Sequence, residues 1–184
     1  MTVKSVARVA AAVVCSFAFA AAWGQASSKA GASGGPNDAQ IAGIVVAANQ
    51  IDVDAGKLAK SRTRNKEVSA FAQQMITDHT AVNKQASALV KKLKVKPQQS
   101  DTSKTLKAGA RENMAKLKGL KGAGFDHAYV DHEVEYHQTV LDALDKTLIP
   151  SASNAELKDL LTKVRPTIAE HLEHAKKIQS SLKS

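Results

Sequence analysis

SAFAQQMITDHTAVNKQASALVKKL, residues 69–93, is the stretch that decides the fold. Its apolar residues fall on one line, Ala72, Met75, Val82, Ala86, Leu89 and Leu93, with His79 in the middle of it. The steps along that line alternate strictly between three and four, which is the seam of a helix packed against other helices. A β-strand would alternate every second residue, and this stretch does not. The seam carries one ionisable side chain, and that exception has to be explained.

The same pattern recurs on both sides. A helix beginning near Asn37 or Asp38 and running to about Arg62 has its stripe at Ile41, Val45, Ala48, Asp52, Ala55 and Ala59. The quoted helix is capped near Asn65 and ends before Pro97, with lysines 91, 92, 94 and 96 complementing its C-terminal dipole. After the polar loop KPQQSD comes a weaker helix from about Thr102 to Lys118, with Leu106, Ala110, Met114 and Leu117 on one face. Another runs from Phe125 to about Ile149 and is expected to stop at Pro150, with Val130, Val134, His137, Leu141, Leu144 and Leu148 in its seam. The last is expected to open with a capping box, Ser153-x-x-Glu156, and to be kinked by Pro166. Its seam is Leu157, Leu161, Val164, Ile168, His171, Ala175, Ile178 and Leu182. Two helical hairpins joined by a long segment with its own helix predict an all-α four-helix bundle with an additional short helix in the crossover.

Ahead of the bundle, Lys4 and Arg8 precede the apolar run VAAAVVCSFAFAAAW, followed by small residues that suit cleavage. Residues 1–26 therefore read as a signal peptide, 27–37 as a flexible Gly/Ser linker and 38–184 as the bundle domain. The expected location is periplasmic or secreted. What remains is about 158 residues, enough for one core. Its only cysteine, Cys15, leaves with the signal, so disulfides and thiolate metal sites are excluded and any metal would need histidine and carboxylate ligands.

The net charge of +9 falls to +7 without Lys4 and Arg8. Most of it is lysine spread along helix faces, with Arg62, Arg64, Arg111 and Arg165 the remaining arginines. Few aromatics accompany them, so nucleic acid is not an expected partner. A weak attraction to anionic envelope material fits the basic surface.

HEVEYH, residues 132–137, resembles a zinc-protease helix, yet its histidines are five apart, about 140° around the helix. The protease motif needs them at i and i+4. His137 belongs instead to a set: each long helix carries one ionisable residue on its stripe, Asp52, His79, His137 and His171. Counted from Asn65, Asp52 lies thirteen residues back and His79 fourteen forward, which puts them in one layer. Counted from Leu148 and Ser153, His137 and His171 are mismatched by about 10 Å, and Glu133 would sit nearer to His171. His127, His132 and His174 read as surface or boundary residues, and Tyr129 and Tyr136 as core packing with the hydroxyl at the rim.

Four stretches carry a resemblance: QIDVDAGKLA, VSAFAQQMITDHT, GFDHAYVDHEVEYHQ and RPTIAEHLEHA. In this order and spacing they resemble the bacterial exported "domain of unknown function 4142" family, over about residues 38–180. The resemblance implies a ferritin-like helical bundle, export, and polar positions at Asp52, His79, His137 and His171. The family usually has glutamate where this chain has Asp52, and an apolar residue where it has His174. The family's activity is not established.

Three imidazoles with Asp52 or Glu133 suit one transition metal ion, zinc, iron, manganese or copper. A di-iron oxidase would need more carboxylates and E-x-x-H pairs, which this chain lacks. The alternative is a metal-free envelope or stress-related bundle whose core histidines are hydrogen-bonded to Asp52, Asp78, Glu133 and Glu170. No nucleophile–base arrangement, phosphate loop or cofactor fingerprint points to an enzyme, and the reading leans against one.

Overall fold

The computed structural model describes residues 34–182, so the expected signal peptide and residues 27–33 of the linker lie outside the described residues. Six α-helices follow: α1 (Asp38–Arg62), α2 (Lys66–Lys92), α3 (Asp101–Gly119), α4 (Gly122–Ala143), the one-turn α5 (Ile149–Ser151) and α6 (Ala155–Leu182). A π-helical turn, Leu144–Leu148, joins α4 to α5. Among the described residues there is no strand, and no helix is long and apolar enough to cross a membrane.

α1 packs on α2 and on α4, and α6 packs on the same two, so the four long helices enclose one core. α3 lies outside that ring against α1 and α4. The hairpin corners follow from capping. Asn37 opens α1 with a capping box to Gln40, and Asn65 opens α2 by accepting from the backbone of Glu67 and Val68. α1 and α2 approach closely at Gly56, where a Cβ would stand 2.9 Å from the Ala72 carbonyl oxygen. Gly43 is tighter: a Cβ there would meet the Gln98 carbonyl oxygen at 2.0 Å, where the loop after α2 crosses α1.

The second corner differs from the expectation at two points. The chain does not stop at Pro150. Proline has no N–H to give, and just before it the helix widens, Ile149 N–H bonding to Leu144 O in the i→i+5 pattern. It then closes with Ala152 N–H on Leu148 O at 3.0 Å. The guanidinium of Arg165 on α6 pins the widened turn, binding both Asp145 oxygens at 2.6 and 2.7 Å. The cap of α6 is Asn154, whose Oδ1 accepts from Leu157 N–H at 3.1 Å, rather than Ser153. Ser153 and Asn154 N–H instead bond the Asp38 carboxylate, and Glu156 pairs with Lys92. α6 continues from Ala155 to Leu182 with Pro166 inside it.

This later corner removes the predicted depth mismatch. His137 and His171 each lie seventeen residues from Asn154, as Asp52 and His79 lie thirteen and fourteen from Asn65. All four enter one layer. It sits between two apolar clusters, one including Ile41, Leu144, Leu161 and Ile168, the other Phe71, Met75, Tyr129 and Ile178. Each such side chain contributes about 1.5–3 kcal/mol through burial, and together they hold the polar layer in place.

Candidate metal centre

His79 from α2, His137 from α4 and His171 from α6 point into the middle of the bundle at 2%, 1% and 1% exposure. Their ring centroids form a near-equilateral triangle with sides of 5.2, 5.5 and 5.6 Å. One nitrogen from each ring lies within 4.8 Å of one from each of the others. The seams put one ionisable residue on the inner face of each helix but set His137 and His171 about 10 Å apart in depth, and the structure brings the three rings together.

The outer nitrogens are all occupied. Asn49 Nδ2 donates to Val45 O at 2.8 Å, which turns Asn49 Oδ1 towards His79, and His79 Nδ1 donates to it at 2.8 Å. His137 Nδ1 donates to the Glu133 backbone carbonyl at 2.9 Å. His171 Nε2 donates to Asp78 Oδ2 at 2.9 Å. Acceptors at these positions fix the proton on the outer nitrogen of each neutral ring, so a lone pair is left on the inner one. Those inner atoms, His79 Nε2, His137 Nε2 and His171 Nδ1, are buried and have no hydrogen-bond partner among the described residues.

Burial keeps the rings neutral. It lowers His79 from 6.5 to about 2, with His137 and His171 adding to the effect. It lowers His137 to about 4, helped by His171. His171 is also lowered by burial, while its Asp78 partner pulls it the other way. At neutral pH the site therefore presents three uncharged nitrogen donors.

The two carboxyls stand behind the imidazoles. Asp52 Oδ2 is 3.5 Å from His79 Nδ1, and Glu133 Oε2 is 3.4 Å from His137 Nδ1. Asp52, Glu133 and His137 form a second group with ligand atoms within 4.8 Å of one another. Burial raises both carboxyls above their ordinary range, and the Glu133 charge pushes Asp52 up further. The Tyr129 hydroxyl is buried with this pair, away from the rim, and burial raises its pKa. Tyr136 OH donates to Ala48 O at 3.2 Å.

The other histidines stay outside the triangle. His174 bonds Gln74 and meets the Phe71 ring edge-on, and His132 stacks on Tyr136 at the bundle boundary. His127 is half-buried, and Glu170 is exposed. Asn49, 6% exposed, was missed by the seam reading. Its signal was available: it lies four residues after Val45 and three before Asp52, on the same face of α1.

No curated protein matches this chain. A solved structure does, that of a protein described as a candidate secreted protein, DUF305, from Streptomyces coelicolor. It is 14% identical, with a TM-score of 0.67 over 79% of this chain and 93% of that one, a likeness of fold. The family described as "Domain of unknown function (DUF4142)" matches residues 23–178, nearly the whole bundle and the helices that carry all three imidazoles. The chain belongs to the DUF4142 family.

Proposed function

We propose that this chain is an exported helical-bundle protein that holds one transition metal ion with His79 Nε2, His137 Nε2 and His171 Nδ1. The observation that carries the reading is that three buried, uncharged rings each bring a nitrogen within 4.8 Å of the others and each has one nitrogen without a partner. A buried polar atom without a partner costs about 1–3 kcal/mol, and three lone pairs facing one another cannot satisfy each other. A cation does so for all three at once. Donors within 4.8 Å of one another need only small ring rotations to reach a common ion, at bond lengths of roughly 2.0–2.1 Å.

Imidazole donors suit zinc, copper and iron, and manganese if a carboxylate joins. Asp52 and Glu133, behind His79 and His137, would offset the cation's charge through those rings and would have to swing past them to join its shell, and Asp78 would hold His171 in register. The metal-free alternative explains the outer hydrogen bonds but leaves the inner nitrogens without partners. Export is supported by the basic start and apolar run of residues 1–26 and by the candidate secreted relative. The lysine-rich surface would attract anionic envelope material weakly.

The test is uptake. Protein stripped with a chelator and reloaded should take up about one equivalent of metal and gain thermal stability. His79→Ala and His171→Ala should each abolish that uptake. Unchanged stoichiometry in both variants would refute the reading.

A further inference from the structure

Beside the histidine layer, in the half of the core that contains the π turn, lies a cavity of about 100 Å³. Its walls are almost wholly hydrocarbon, supplied by Ile44, Ala143, Leu144, Leu148, Leu161 and Ile168. The polar residues at its inner end are Asn49, Asp52 and His79. Asn49 already bonds Val45 and His79, so that end offers a ligand little to bond to. At the other end stand Thr102, which is exposed, and the half-buried Leu106, both from α3 outside the bundle ring.

We infer that this cavity is a binding site for a small, uncharged, apolar molecule no larger than one aromatic ring. Size and lining select the class. An apolar cavity of about 150 Å³ stays dry and takes benzene or xenon, and this one is somewhat smaller with the same kind of wall. Its position argues against a simple packing fault, since native cores leave few voids larger than a water molecule. Two of its walls, Leu144 and Leu148, belong to the widened π turn, a feature that recurs at functional sites. The Arg165–Asp145 pairing holds that turn open against α6. Exposed Thr102 of α3 and exposed Thr139 of α4 both line it, so the cavity reaches solvent-facing residues of two helices. An occupant would lie against the His79 ring, which links the cavity to the imidazole layer without depending on a bound metal.

The test uses xenon and benzene on full-length protein, with and without chelator, followed by methyl NMR and thermal melting. Xenon should shift the methyl signals of Leu144, Leu148, Leu161 and Ile168 saturably, and leave Leu117 and Ile178 in the other cluster unmoved. Benzene at about ten times its Kd should raise Tm by about 4 °C, and acetate, small enough to enter but charged, should not. Ala143→Leu should fill the space and erase both responses. Leu161→Ala, which enlarges the space, should tighten benzene binding, and it keeps the test open if Ala143→Leu does not fold. His171→Ala, which removes the proposed metal site, should leave the xenon response intact, so failure of the metal reading and failure of this one are separable. Methyls unmoved by either probe, a response centred on Leu117 and Ile178, or a response unaltered in a folded Ala143→Leu protein would overturn the inference.

Discussion

Acid should unfold the metal-free protein along a limb set by its buried histidines. His79 is lowered from 6.5 to about 2 and His137 to about 4, chiefly by burial. Below pH 6.5 the unfolded chain binds a proton at each imidazole and the folded chain does not. Stability is therefore whole above pH 6.5 and drains as the pH falls towards each folded value. At about 1.4 kcal/mol per pH unit, the interval from 6.5 to 4 removes about 3 kcal/mol for each of the two rings. Against a total stability of roughly 5–15 kcal/mol, that loss is a large share, opposed by the two buried carboxyls. His171 acts in the same sense.

Asp52 and Glu133 act in the opposite sense. Burial raises them, so the folded chain keeps protons that the unfolded chain has released, and their contribution grows as the pH falls. Glu133→Gln removes one of these opposing groups and should steepen the acid limb. Urea unfolding of chelator-treated protein between pH 7.5 and 4.5, read by circular dichroism, gives the midpoint at each pH. The midpoint should fall below pH 6.5 in the wild type and fall faster in Glu133→Gln. A midpoint flat from pH 6.5 to 4.5 in both proteins would refute the account of neutral, desolvated rings.

Removing the acceptor behind His171 should weaken the site without emptying it: Asp78→Ala is expected to lower metal affinity by about 10–100-fold, measured by competition with a chelator of known strength, and unchanged affinity would deny the contact its role. The corrected cap of α6 predicts that Asn154→Ala loses about 1 kcal/mol of stability in urea melts while Ser153→Ala stays near wild type; the reverse order would restore the capping box. Gly43→Ala should destabilise the chain, because its methyl would stand 2.0 Å from the Gln98 carbonyl oxygen, and an unshifted urea midpoint would show that the crossing loop gives way freely.

The bundle and the seam positions of the three histidines were legible in the sequence because both depend on periodicity, whereas the shared depth of His137 and His171 was not. Spacings of three and four put Met75, His79, Val82 and Ala86 on one face whatever the neighbouring helices do, and the same holds for Ile168, His171 and Ala175. What the sequence hid depends on which acceptors the backbone N–H groups of the second corner find. Pro150 reads as a helix stop, yet the chain passes it by widening to Leu144 O, and that detour moves the corner to Asn154 and aligns His137 with His171. The Ser153-x-x-Glu156 pattern was a sound local signal, but Asp38, far away in sequence, takes the Ser153 N–H. The outer partners divide in the same way. Asp78 stands next to His79 in the chain, and its contact with His171 exists only once α2 meets α6.

The central claim is that one ion is held by three imidazoles from three helices. X-ray absorption at the metal edge, on reloaded protein, counts those ligands directly. The account predicts about three imidazole nitrogens at roughly 2.0–2.1 Å, with the imidazole signal reduced in His137→Ala. A shell of water or carboxylate oxygens without imidazole scattering, or a spectrum unchanged by His137→Ala, would contradict it.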